Sequence, residues 1–229
     1  MQPSFLIEQD YDGFIVAGVD EAGRGPLAGP VVASCVVLDQ ENLISGINDS
    51  KKLSKKIRSE IFQEILQKEV RFGIGIVDEK IIDKINILQA TKLAMLRSYQ
   101  DFFTKYQIYP QIILVDGNFT PFPKKFTQMF ENRFDNFIDK SFFLNSAIID
   151  SLPIIKGDQK SLSIACASII AKETRDKIML DYHKKYPQYG FDKHAGYGTK
   201  THFAKIQEFG ITSIHRKTFA GVVSKELDI

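Results

Sequence analysis

Residues 14–26 read Phe-Ile-Val-Ala-Gly-Val-Asp-Glu-Ala-Gly-Arg-Gly-Pro. The first six are apolar or small and flanked by turn formers, which predicts a short buried strand over residues 14–19. Asp20 and Glu21 follow at once. Strand side chains alternate between faces, so two adjacent carboxylates reach one centre only where the strand gives way to a loop. Burying them together is unfavourable because each disfavours ionisation of the other, and a divalent cation removes that penalty. The plainer alternative has Asp20 capping a turn and Glu21 paired with a surface lysine.

Working outward, VVASCVVL (31–38), VRFGIGIV (70–77), QIILVD (111–116) and LPII (152–155) predict four further strands. Helices are expected between them: one capped by Ser54 with Ile57, Ile61 and Ile65 recurring every four residues, and one over 88–107 closed by Pro110. A long helix is expected over 161–185 and a last one from Thr199, stopped by Gly210. Strands alternating with helices make an α/β domain with a mixed five-stranded sheet flanked by helices. No repeat or linker divides the chain, so a single domain over 1–229 is expected, with a helical C-terminal part from about 185. One stretch stands apart: residues 119–143 hold eight of the 18 phenylalanines. Phe122, Phe126, Phe130 and Phe134 lie four apart, the pattern of a helical stripe packed on the domain.

Composition sets the class. Hydrophobic residues are 44% and charged residues 25% of 229, ordinary for a globular protein. No apolar run approaches a membrane span, and the N-terminal stretch lacks the basic-then-apolar order of a signal peptide, so a cytoplasmic protein with no membrane association is expected. Cys35 and Cys166 stand apart in apolar surroundings and read as two reduced, buried thiols. The net charge is only +2, but its distribution is uneven: residues 1–50 hold eight acids and one base, whereas 172–217 hold ten Lys or Arg against five acids. An acidic centre with basic flanks suits a polyanionic ligand.

Asp116 and Asp158 repeat the pattern of Asp20, each reached through an apolar run. Carboxylates at several strand ends can meet at one edge of an open sheet. Oxygen ligands without nearby His or Cys favour Mg²⁺ or Mn²⁺ over zinc, and such clusters fit two-metal phosphodiester hydrolysis. Gly23–Ala28 formally fits a dinucleotide-binding pattern, but Asp20 and Glu21 would set negative charge beside a pyrophosphate, Pro26 interrupts the loop, and a strand follows where a helix is required. No GxSxG run supports a serine nucleophile. The four histidines, His183, His194, His202 and His215, are scattered along the chain, with His215 beside Arg216 and Lys217 the best placed for phosphate.

Six motifs, in order, resemble ribonuclease HII: Asp20-Glu21-Ala22-Gly23-Arg24-Gly25, residues 48–54 (NDSKKLS), Val115-Asp116-Gly117-Asn118, Lys156-Gly157-Asp158, residues 167–172 (ASIIAK) and Gly196-Tyr197-Gly198-Thr199. The resemblance spans roughly residues 14–220. It implies a ribonuclease H-like fold and a metal-holding, catalytic quartet of Asp20, Glu21, Asp116 and Asp158. It implies that Gly23, Arg24 and Gly25 read the 2′-OH of a ribonucleotide, that Tyr197 stacks on the next sugar, and that Ser50 and Lys51 hold backbone phosphate. The implied substrates are RNA–DNA hybrids and duplex DNA containing ribonucleotides, cut by a monomer using Mg²⁺ or Mn²⁺. In two respects the chain departs from the family: Asp116 and Asp158 stand 42 positions apart, with Asp135, Asp139 or Asp150 between them as alternatives, and Cys166 occupies a place where alanine is usual. The competing class is a non-catalytic hybrid-binding protein that keeps the fold.

Overall fold

The computed structural model of the chain describes residues 2–39, 44–47, 53–122, 134, 136–138, 142 and 148–222. The apolar runs form β1 (Val16–Ala22), β2 (Val31–Val37), β3 (Arg71–Val77), β4 (Ile112–Asp116) and β5 (Asp150–Ile154). They assemble in the order β3-β2-β1-β4-β5. β1 and β3 pair antiparallel with β2, while β4 runs parallel to both β1 and β5. The expected mixed five-stranded sheet is therefore present.

A short N-terminal helix, α1 (Leu6–Gln9), precedes the sheet. α2 (Lys55–Gln67) is capped by Ser54, whose side chain accepts from the Ile57 amide, as the sequence predicts. Ile61 and Ile65 are buried, whereas Ile57 on the first turn is exposed. The sequence reading missed α3 (Glu79–Ile85), capped by Asp78, because its seven residues are too few to show a period. α4 (Ile87–Tyr106) packs its buried stripe, including Leu93, Met95 and Phe102, on one face of the sheet. α5 (Leu162–Lys185) covers the other face together with α2. Two further helices, α6 (Phe191–His194) and α7 (Lys200–Phe209), close a separate apolar cluster of Leu27, Met179, Tyr189, Phe191 and Ile206. Of the phenylalanine stripe, Phe122 and Phe134 are buried in the α4-side core, while Phe126 and Phe130 lie outside the described residues.

Gly18 explains how α5 meets the sheet. A Cβ there would lie 2.2 Å from the Ser163 backbone, so only glycine lets the helix sit directly on β1. From that contact, five residues of helix rise about 7.5 Å and two of strand about 6.6 Å. That brings Ser168 over Asp20.

Candidate active site

β1 begins later and runs further than expected. Phe14 and Ile15 are largely exposed and precede the sheet, whereas Asp20, Glu21 and Ala22 remain paired with Ser34, Ala33 and Val32 of β2. The strand gives way on one side only, because the β1–β4 register ends at Val19 opposite Val115. The next residues on these neighbouring parallel strands are Asp20 and Asp116. Alternation puts both on the α5 face, with Gly18 and Leu114, while Glu21 leaves on the opposite parity into the opened edge.

Asp20, Glu21 and Asp116 line a cleft of about 320 Å³ together with Gly23, Arg24, Gly25, Arg58, Ser168, Lys172 and Tyr197. Burial pushes the Asp20 carboxyl well up, and the charges of Glu21 and Asp116 push it further; hydrogen bonds from Ser168 and the Glu21 amide (2.7 Å) pull the other way. Burial likewise raises Glu21, opposed chiefly by Arg24, whose Nη1 lies 3.2 Å from Glu21 Oε1. Among the described residues no three Asp, Glu, His or Cys side chains converge into a closed metal cage. The three carboxylates share one cleft and one another's charge.

Asp158 lies differently. The Gly157 amide donates to Asp116 Oδ1 at 2.6 Å and the Asp158 amide approaches it at 3.4 Å. Its own side chain is 2% exposed and is not among those lining the cleft. The alternative Asp150 opens β5 opposite Ile112, at the far end of β4 from Asp116. Asp135, Asp139, Ser50 and Lys51 lie outside the described residues.

The Gly23–Gly25 loop faces Tyr197: a Cβ on Gly25 would sit 3.6 Å from the tyrosine ring. Gly23 has φ +97° and packs on Arg175, where a Cβ would fall 2.2 Å from Nε, so both conformation and space require glycine. Beneath the loop lie two buried guanidinium groups that hold backbone carbonyls. Arg216 donates to the carbonyls of Gly23 (2.6 Å), Arg24 (3.0 Å) and Gly29 (2.7 and 2.9 Å). Arg175 donates to those of Ala28, Pro30 and Ala195, each at 3.0 Å. Burial and the charge of Arg175 push Arg216 down to about 9.

Three of the four histidines are not scattered in space. His194, His202 and His215 meet, with the first two rings stacked at 4.6 Å. His215 is 1% exposed, so it is no surface phosphate contact; its ring is drawn inward among Tyr189 and Phe191. Its Nδ1 accepts from the Thr212 amide at 2.9 Å, which leaves the proton on Nε2 to donate to His202 Nε2 at 3.2 Å. His202 Nδ1 then donates to the Tyr197 carbonyl at 3.0 Å. This tautomer order follows from the partners each nitrogen has.

Sequence reasoning assigned no role to Ser168, Arg58 or the two buried arginines. Arg58, from α2, reaches the cleft while paired with Glu173 (2.6 Å) and Asp176 (2.8 Å), and Lys172 also pairs with Asp176 (2.6 Å). A basic residue every few positions on α5 signals a helix face, but not that this face borders the acidic cleft.

A family model described as Ribonuclease HII matches residues 17–222. A Ribonuclease HII of Rickettsia bellii is 46% identical over 218 residues, covering 95% of this chain and 96% of that one. The crystal structure of the ribonuclease H2 from Pyrococcus horikoshii OT3 superposes with a TM-score of 0.64 at 28% identity, over 90% of this chain and 94% of that one. Bst-RNase HIII in complex with Mn²⁺ shares the fold, with a TM-score of 0.62 at 19% identity, over 96% of this chain and 72% of that one.

Proposed function

The chain belongs to the ribonuclease HII family, and from that premise we propose that it hydrolyses the RNA strand of RNA–DNA hybrids and cuts duplex DNA on the 5′ side of an embedded ribonucleotide, leaving 3′-OH and 5′-phosphate ends. The observation that carries this reading is the meeting, across one cleft, of Asp20, Glu21 and Asp116 with the Gly23–Gly25 loop and Tyr197.

Asp20, Glu21 and Asp116 would hold Mg²⁺ or Mn²⁺, with Asp158 as the fourth member through its place beside Asp116. The donor set fits such ions: oxygens only, with the Asp20 carboxyl raised first by burial and then by a mutual repulsion that a divalent cation relieves. A fold neighbour, Bst-RNase HIII, has been solved with Mn²⁺. When bound, two such ions activate the attacking water and stabilise charge on the leaving oxygen. The chain's own residues do the rest. Ser168 holds Asp20 in place, and Arg24 steadies Glu21. The exposed Arg24 and Gly25 backbone meets the ribose 2′-OH, the group that separates RNA from DNA. Tyr197, half-exposed beside Gly25, offers its ring to the next sugar. Lys172 borders both this cleft and a neighbouring 380 Å³ groove with Lys55 and Lys193, a path suited to the phosphate backbone. We also infer that the reaction takes place in the cytoplasm and that the chain works as a monomer.

The test is a DNA duplex containing one ribonucleotide, incubated with Mg²⁺, Mn²⁺ or chelator, with the products mapped. One metal-dependent cut 5′ to the ribonucleotide is expected. Binding without a cut under any metal would support the non-catalytic alternative instead.

A further inference from the structure

Arg216 lies more than 190 residues from the Gly23–Gly25 loop in sequence yet donates to two of its backbone carbonyls. The segment carrying it is fixed on both sides. The Gly29 amide donates to the Ile214 carbonyl (2.9 Å), the Arg216 amide to the Leu27 carbonyl (2.8 Å), and Ala28 bridges His215. Beyond it, the amides of Lys217 and Thr218 donate to Asp83 of α3, each at 3.0 Å. The guanidinium is wholly buried and stacks over Phe219 at 5.0 Å. A rigid, forked donor with little freedom to move is thus presented to the underside of the loop.

What it grips decides what the loop shows. In a trans peptide the carbonyl of one residue and the N–H of the next point in opposite directions. Arg216 takes the carbonyls of Gly23 and Arg24 from below. The amides of Arg24 and Gly25 therefore point away from the buried guanidinium, on the exposed side of the loop that borders the cleft. Among the described residues neither amide has an acceptor. Two donors stand free where the proposed function needs the ribose hydroxyl to be read.

We propose that Arg216 is a positioning residue for ribonucleotide recognition, turning the two peptide planes of the Gly23–Gly25 loop so that their N–H groups face the 2′-OH. It touches neither substrate nor metal and acts through the loop. Arg175 lies in the same buried setting but holds the carbonyls of residues 28, 30 and 195, so it braces the surrounding turn and not these two planes. The inference rests on the proposed reading of hybrid and ribonucleotide substrates.

The test measures binding in chelator, where no turnover occurs, to a duplex with one ribonucleotide and to the same duplex in all-DNA form. Wild type should prefer the first. Arg216→Lys keeps the charge but loses the fork, and it should lower that preference by about three- to tenfold, with all-DNA affinity unchanged. A merely structural role would weaken both duplexes together. Because the variant risks misfolding, hydrogen exchange on wild type supplies an independent reading: the Arg24 and Gly25 amides should exchange freely alone and gain protection with the ribonucleotide duplex but not with the all-DNA one. Full preference retained by folded Arg216→Lys, or no protection of those amides, overturns the inference. No ribonucleotide preference in wild type itself would overturn the proposed function along with it.

Discussion

Two groups of buried charge meet at this cleft, and they are held in opposite ways. Asp20, Glu21 and Asp116 are brought together by strand register, and their charges work against one another. Arg175 and Arg216, beneath the neighbouring loop, are also like charges in a dry setting, but each is surrounded by backbone carbonyls that accept its hydrogen bonds. The first group is left with a demand that a cation can meet. The second is already satisfied, and its product is a fixed loop. On the proposed reading, chemistry and recognition draw on the same material: carboxylates whose charges oppose one another, and guanidinium groups matched by carbonyls.

The largest effect that tests this contrast is on turnover. Asp20→Asn should lower cleavage by about a thousandfold or more, since metal assistance supplies several kcal/mol. The same change removes a buried like charge, so the thermal midpoint of the metal-free protein should rise. A drop in both would mean that Asp20 is there to hold the fold.

Next comes a third buried guanidinium, Arg58, which is matched by carboxylates instead of carbonyls. Arg58→Ala leaves Glu173 and Asp176 without their buried partner and should cost about 3–5 kcal/mol in denaturant unfolding. The exposed Lys184–Asp181 pair is the control, and Lys184→Ala should leave the midpoint unmoved.

Acid should act on the histidine chain. Burial lowers His202, and burial together with His202 lowers His215 to about 4. The folded state therefore resists protons that the unfolded chain takes up near its ordinary value of about 6.5. Stability from this pair is full above that pH and falls as the pH drops toward about 4, by up to about 3 kcal/mol. Urea unfolding across this window should show the loss, and His215→Asn should flatten it. The smallest effect is expected at Tyr197. Tyr197→Ala should reduce preference for a single ribonucleotide over a long hybrid by roughly tenfold, with Mn²⁺ affinity unchanged.

How much of this was legible in the sequence follows from the same contrast. Asp20 and Asp116 could be read because each follows an unbroken apolar run, and neighbouring strands carry them to one edge. Even so, the run after Val19 looked like a loop, since nothing local shows that Asp20–Ala22 stays paired with β2. Glu79–Ile85 was missed for want of length. The arginine and histidine contacts could not be read at all: Arg216 and Gly23, or His202 and His215, become neighbours only through the packing of the C-terminal helices, and no spacing records it. Asp158 falls between the two cases. Its motif is plain, but the structure ties its backbone to Asp116 and buries its side chain.

The carboxylates on β1 and β4 are the proposed metal centre, and Mn²⁺ binding followed by electron paramagnetic resonance tests that assignment without reference to turnover. Wild type should take up Mn²⁺ saturably, in competition with Mg²⁺, and Asp116→Asn should lose that uptake while unfolding as cooperatively as wild type. Unchanged uptake by folded Asp116→Asn would place the metal elsewhere and contradict the account.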